Sequence, residues 1–395
     1  MQMNYILADI DSSRFLPFTF TRPVCDIRIG ILTIRQKWEK YLGYELFCIT
    51  GEHLKQKHPL NYNSCCNSIV INGAICPDDI VLPKIQELQP NQVLFIKGVF
   101  VAANLGEVEP NTFDISSLAK YEKVVFEHTA LLNIDSVTDI FSKNDIALRA
   151  DFNYLTANKD SQVISESNHV NNFSNIFIEE GAVVECCFLN ASTGPIYIGK
   201  NAEVMEGSII RGPFALCEGS VLKMGTKIYG ATTIGPYSKV GGEVNNSVIF
   251  GYTNKAHDGF LGNSVLGEWC NLGADTNNSN LKNNYSQVQI WDYDNKVYAN
   301  TGMQFCGIVM GDHSKTGINT MLNTGTWVGV CANIFGGSFP PKYVPCFSWG
   351  GVIDGFDTFE LSKAIEVAQR VYERRSMVFD EKEQTLFTYL FNNCR

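Results

Sequence analysis

A chain of 395 residues with 45% apolar and 18% charged residues is long enough for two or three domains, each with its own core, and is not disordered. Its formal charge of −10 argues against a nucleic-acid partner, which needs a basic surplus, yet leaves room for a small phosphorylated ligand met by local donors. No apolar run is long enough to span a bilayer, and the start "MQMNYILADIDSS" lacks a basic region ahead of a cleavable apolar stretch. A cytoplasmic protein with no membrane or nucleic-acid partner is expected. The 13 cysteines form no C-x-x-C pair, so free buried thiols in a reducing compartment are expected in place of a zinc site.

Three zones follow in chain order. To about residue 160, short apolar runs ("NYILADI", "ELFCIT", "SIVING", "QVLFIKG") alternate with helix-like pieces such as "GILTIRQKWEKYLG". This alternation predicts an α/β layer domain over 1–160. The segment "IFSKNDIALRADFNYLT" (140–156) has helical spacing and should bridge to the second zone.

The second zone, 174–340, is defined by its period. Apolar residues fall six apart at Ile198, Val204, Ile210, Leu216, Leu222, Ile228, Ile234 and Val240. After a slip the series resumes at Val248, Phe260, Leu266 and Leu272, and again at Met310, Thr316, Leu322, Val328 and Ile334. Small residues stand four positions after most of these anchors, among them Ser208, Ser220, Thr226 and Ser238. A hexapeptide period predicts a parallel β-helix, with the recurring apolar residue inward and the small residue at a crowded corner. The slip and the insertion 274–307 interrupt it, and such interruptions place loops on one face. The third zone, 341–395, carries two amphipathic stretches after a Pro- and Gly-rich break, which should form a helical cap on the open end of the coil.

Between the slip and the insertion lies "GYTNKAHDGFLGNS" (251–264), with His257, a residue type suited to general-base chemistry near neutral pH. A zinc site built on several histidines is disfavoured, because the well-defined coil holds only His257 and His313.

The stretch "EVNNSVIFGYTNKAHDGFLGNSVLGEWCNLGADT" (243–276), continued by "KTGINTMLNTGTWVG" (315–329), closely resembles the acetyltransferase half of a bifunctional family. That family joins sugar-1-phosphate nucleotidyltransferase and amino-sugar-phosphate N-acetyltransferase activities. The resemblance implies a left-handed β-helix, acetyl-CoA as cosubstrate, a homotrimer, and His257 as the catalytic base. It implies substrate-binding roles for Asn245, Phe260, Asn271 and Asn280, with Lys255, Lys282 and Lys315 offsetting lost cations. Asn245 stands where the family has a phosphate-binding lysine, Phe260 where it has tyrosine, and Asp275 where it has glycine.

The front zone is similar to the partner activity. "LADIDSSRFLPFTFTRP" (7–23) lines up with the family's triphosphate-cradling loop and implies nucleotide contacts from Asp9, Asp11, Arg14, Arg22 and Arg28. Mg2+ is implied if nucleotidyl transfer is active. Ile10 and Ser12 replace loop glycines, and Ala74 replaces the metal-holding aspartate of an "NGD" motif. The expected function is sugar-nucleotide biosynthesis, acting on sugar phosphates with acetyl-CoA or a nucleoside triphosphate. The alternative is a catalytically silent sugar-nucleotide scaffold or sensor.

Overall fold

The structure is a computed structural model that describes residues 3–63 and 66–394. The chain forms two compact units that exchange short segments. The first takes in residues up to Phe15, Thr21–Ile27 and Leu32–Asp135; the second takes in Leu16–Phe20, Arg28–Ile31 and the chain from Ser136 onward. The first boundary therefore falls near residue 135, ahead of the helical segment that the sequence assigned to the front zone.

In the first unit six strands, β1 (Asn4–Ala8), β2 (Phe47–Ile49), β3 (Ser68–Asn72), β4 (Gln92–Ile96), β5 (Val99–Asn104) and β6 (Glu122–Phe126), form one sheet of order β2-β1-β3-β5-β4-β6. Pairing is parallel except where β5 runs against β3 and β4. Every residue of β3 is buried, as expected of a strand covered on both faces. Helix α1 (Ile34–Leu42) starts at a capping box between Thr33 and Gln36 and stops at Gly43, whose φ of 84° suits only a residue without Cβ. A shorter helix, α2 (Val81–Gln86), completes the alternation.

The second unit opens with α3 (Val137–Ser142) and α4 (Asn144–Thr156), the expected helix broken at Lys143. Asn144 is fully buried and ties three pieces together. Its Oδ1 accepts from Gly30 N at 2.7 Å, while its Nδ2 donates to Ala231 O at 2.9 Å. Asp151 accepts from Ile31 N at 2.7 Å, so the Arg28–Ile31 strap is held by α4. Gly30 has no room for a side chain: a Cβ would stand 2.5 Å from the Asp151 carboxylate.

From His169 onward the chain winds as a parallel β-helix with three walls of six, nine and ten strands. Successive rungs pair Ile196 with Phe214 and Phe214 with Thr232, so a full coil takes three hexapeptides. The anchors from Ile198 to Val240 all belong to one buried column of apolar side chains. The small residues are buried because the corner carbonyls need their hydroxyls: Ser220 donates to Gly235 O at 2.7 Å and Ser238 to Phe250 O at 2.9 Å.

Two anchors move. Ile234 pairs with Ile249 and Val244 with Leu261, so Ile249 and Leu261 point inward in place of Val248 and Phe260. The cause is a shortened coil. Thr233 meets Val248 only 15 residues on, and the lost residues shift the phase of everything after them. The insertion folds as an antiparallel hairpin of Gln289–Asp292 and Val297–Asn300, after which Val309 pairs with Val265.

The C-terminal helices α5 (Leu361–Glu373) and α6 (Glu381–Asn393) lie along a corner of the coil instead of across its end. They cover an aromatic ladder in which Tyr237, Tyr252 and Trp269 stack in turn, with Tyr372 of α5 on Trp269 at 4.2 Å and Phe387 of α6 on His313 at 5.0 Å. Tyr237, Tyr252, Trp269 and His313 all take left-handed backbone, with φ between 58° and 62°. That conformation costs on the order of 1 kcal/mol for a residue with Cβ, and each stacked aromatic pair offsets about that much.

Candidate functional site

In the first unit, the end of β1 and the turn after β3 meet at a cavity of about 480 Å³. It brings together Ile10, Asp11 and Arg14 from the expected nucleotide loop with Asn72 and Ala74 from the "NGA" turn. Asp11 has a left-handed backbone (φ 51°) and pairs with Arg14 at 3.5 Å. Asn72 is spent on the backbone, donating to Phe100 O at 3.0 Å and accepting from Ala74 N at 3.0 Å.

Three of the expected nucleotide residues do not line this cavity. Asp9 accepts from Val24 N at 2.7 Å and from the Thr50 hydroxyl at 2.5 Å; burial pushes its carboxyl up to about 6 despite these bonds. Arg22 is buried within the first unit, away from the cavity lining. Arg28 belongs to the second unit, where its guanidinium donates to Ile31 O and approaches Cys217 Sγ at 3.9 Å. Among the described residues no group of three or more His, Cys, Asp and Glu side chains is placed to hold a metal ion. Alanine at position 74 adds no carboxylate, so the carboxylates that line this cavity are Asp11 and Asp135.

In the second unit His257 sits at the corner between the strands Asn254–Lys255 and Phe260–Gly262. It is exposed, and among the described residues its ring has no hydrogen-bond partner. The six-stranded wall starts beside it. Phe260 pairs with Glu243 and Asn245 with Gly262, which puts Asn245 and Phe260 on neighbouring rungs of that wall. The Phe260 ring folds over Gly262, where a Cβ would lie 2.5 Å from the ring edge. Asn280 joins through its Nδ2, which donates to Asn263 Oδ1 at 2.8 Å. Asn277 holds the rung by accepting from Phe260 N at 2.8 Å.

The same wall carries a groove of about 810 Å³, lined by Arg211, Lys227, Tyr229, Glu243 and Asn245, with Arg149 of α4 at its rim. Arg211 and Lys227 have no ion-pair or side-chain partner among the described residues, whereas Arg149 is paired with Asp145 at 2.7 Å. The Tyr229 hydroxyl donates to Glu243 at 2.6 Å, and burial followed by that carboxylate pushes its pKa up to about 12. Sequence reading missed Arg211, Lys227 and Tyr229. The signal was their place beside inward Ile210 and Ile228, since neighbours of an inward residue on a strand point outward.

Asn271 and Lys315 lie on the ten-stranded wall, where they pair in register with each other. Asn271 accepts from Asn254 Nδ2 at 2.8 Å. Lys315 donates to His313 O at 2.7 Å, and burial lowers its pKa. Lys255 is 2% exposed and points inside the coil. Lys255 and Lys315 are therefore bound to backbone carbonyls, and the lysine-for-lysine compensation expected from the sequence is not what these two side chains do.

A two-activity relationship emerges from the comparisons with known proteins. Residues 5–160 match the sugar nucleotidyl transferase family. Part of the chain is 30% identical over 164 residues to the bifunctional protein GlmU of Synechococcus elongatus, covering 40% of this chain and 32% of that protein. It is 29% identical over 147 residues to a bifunctional sugar-1-phosphate nucleotidylyltransferase/acetyltransferase of Sulfurisphaera tokodaii, covering 37% and 36%. The chain thus spans about a third of the length of the curated relatives it matches. Among solved structures, the Francisella novicida UDP-N-acetylglucosamine acyltransferase aligns with 59% of this chain and 92% of its own, at 14% identity and a TM-score of 0.30. The chain is similar to bifunctional transferases of the GlmU kind, and its relatives are transferases.

Proposed function

We propose that this protein is an enzyme of sugar-nucleotide biosynthesis whose β-helix transfers an acetyl group from acetyl-CoA to an amino-sugar phosphate. The observation that carries the reading is the unpartnered His257 imidazole at the edge of a wall that also presents Phe260, Asn245 and two unpaired cations. In this reading imidazole nitrogen takes a proton from the substrate ammonium, which frees the lone pair for attack on the thioester carbonyl. Backbone N–H groups of the rigid coil stabilise the tetrahedral oxyanion. Its collapse expels CoA thiolate, which recovers the proton from the imidazolium, while the attacking nitrogen loses its second proton to solvent to leave the neutral amide. The groove's Arg211 and Lys227 stand in for the cation absent at Asn245, and serve as partners for the sugar's phosphate.

For the front unit a second reading is favoured, that of a binding module without turnover. Ala74 supplies no carboxylate for a metal, and Asp9 is consumed by Thr50 and Val24. Asp11 and Arg14 are the residues left to meet a nucleotide or sugar phosphate. A cytoplasmic homotrimer completes the proposal. The twelve described cysteines are all free thiols, as a reducing compartment requires, and the coil's flat outer walls suit packing between copies.

The deciding experiment is a thiol-release assay over a panel of amino-sugar phosphates, with pyrophosphate release from UTP and dTTP in Mg2+ measured in parallel. Acetyl transfer without pyrophosphate release is the expected result. No transfer to any acceptor would leave the scaffold reading in place for both units.

A further inference from the structure

One corner of the coil runs through residues 208, 226, 242, 259, 276 and 320. Backbone bonds tie them except at one step: Ile209 N donates to Thr226 O, Lys227 N to Gly242 O, Glu243 N to Gly259 O and Asn277 N to Thr320 O, while Phe260 N turns to the Asn277 side chain. Four of these positions carry a hydroxyl that donates to the carbonyl three residues back. Ser208 meets Met205 O at 2.8 Å, Thr226 meets Lys223 O at 2.5 Å, Thr276 meets Gly273 O at 2.8 Å and Thr320 meets Gly317 O at 2.9 Å.

The series breaks at Gly242 and Gly259. Neither position can hold a side chain, because a Cβ on Gly242 would lie 2.8 Å from Gly259 O and one on Gly259 would lie 2.2 Å from Thr276 O. Their φ values of 76° and 126° are also those of glycine. Two corner carbonyls thereby lose the hydroxyl their counterparts receive. Lys255 reaches into both turns from inside, at other carbonyls. It pairs with Val240, a core position, yet its Nζ donates to Gly241 O at 2.8 Å and to His257 O at 2.9 Å.

An ammonium costs several kcal/mol to bury, and an aliphatic residue at this position would continue the core. Burial pushes the Lys255 pKa down to about 8, against the opposing pull of Asp258 and Asp275. Such a cost is retained where the group does something the core does not need. The bond to His257 O clamps the backbone of the one histidine that the acyl-transfer reading requires.

We propose that Lys255 is the positioning residue of this corner: by tying Gly241 O and His257 O from within the coil, it sets the backbone of residue 257 and so aims the imidazole. The inference rests on His257 acting as base. Lys255→Met keeps the length and removes the donors. Its expected behaviour is an unchanged or raised Tm, since an apolar side chain suits the site, together with a kcat for acetyl transfer lower by about 10- to 100-fold, as for a displaced catalytic group. The KM for acetyl-CoA should hold, hydrogen exchange should speed up at the Glu243 and Asp275 amides, which donate to Gly259 O and Asp258 O, and Lys255→Gln, which keeps a donor, should recover part of the rate.

Wild-type kcat in Lys255→Met would overturn the proposal, as would unchanged exchange at the Glu243 and Asp275 amides. If Lys255→Met does not fold, Lys255→Gln takes both measurements, and wild-type values in it count against the tie. His257→Ala is assayed beside them to separate the two claims. Full transfer in His257→Ala would remove the base and with it the function read here, and the tie would then stand or fall on hydrogen exchange alone.

Discussion

The corners at Ser208, Thr226, Thr276 and Thr320 and the corner at Ala256–Gly259 solve one problem in two ways. Each must satisfy a carbonyl where the chain turns out of one wall into the next. The first four do it with a neutral hydroxyl on the turning residue itself, and present nothing reactive. The fifth does it with a buried cation two residues before an exposed histidine, and needs a glycine where the others have a hydroxyl. A repetitive coil has no site until a rung departs from the repeat, and the departure here is a shortened coil followed by a corner of ordinary length with glycine in place of the hydroxyl.

The largest effect that could break this comparison is catalytic. His257→Ala should lower acetyl transfer by about two to four orders of magnitude, mainly in kcat, with the fold intact because the ring is exposed. Steady-state kinetics with circular dichroism checks it. Next comes the glycine. Gly259→Ala must displace Thr276 O and leave a φ of 126°, so it should destabilise the coil by about 3 kcal/mol in urea unfolding. A stable Gly259→Ala protein would mean that the corner tolerates an ordinary turn.

The pH dependence sharpens the contrast between cation and hydroxyl. Folding lowers the Lys255 pKa from 10.5 to about 8, so between those values the unfolded chain holds more protons than the folded one. Stability from this group therefore rises as pH climbs from about 8 to 10.5, by an amount on the order of 3 kcal/mol. The difference between wild type and Lys255→Met in pH-resolved unfolding should follow that rise, and a flat difference would contradict the burial. Smaller still, Thr226→Val at a regular corner leaves Lys223 O with only the Ser208 hydroxyl at 3.2 Å and should cost about 1 kcal/mol while leaving acetyl transfer unchanged. Phe260→Tyr should change the transfer rate least of all, since the ring keeps its seat over Gly262.

Much of the coil was legible because its signal is local and repeated. Ile198 through Val240 each recur at six, and all of them are core. The count failed only after a coil lost residues, where Val248 and Phe260 gave way to Ile249 and Leu261. His257, Asn245, Phe260 and Asn280 were expected together on family likeness; Asn245 and Phe260 lie on neighbouring rungs of one wall, and Asn280 bonds to Asn263 beside it. Lys255, Lys315 and Arg28 were misread. A basic residue reads as surface chemistry in a sequence, and only packing reveals that its charge is spent on a carbonyl inside. The helices of 361–393 were readable as helices, but their seat on Tyr252, Trp269 and His313 was not, because those aromatics come from different coils.

By itself, then, the sequence determined the β-helix, the α/β sheet before it and the helices after it, since period and propensity act over a few neighbouring residues. Tertiary structure decided which residues meet. A coil's rungs stack by backbone pairing across 15 to 18 residues, so one shortened turn chooses whether the next lysine faces solvent or the core. Side-chain bonds of still longer range hold the Arg28–Ile31 strap in the second unit, where Arg28's own bonding partners lie. Contacts of that range depend on the exact number of residues between partners, and no local pattern encodes that number.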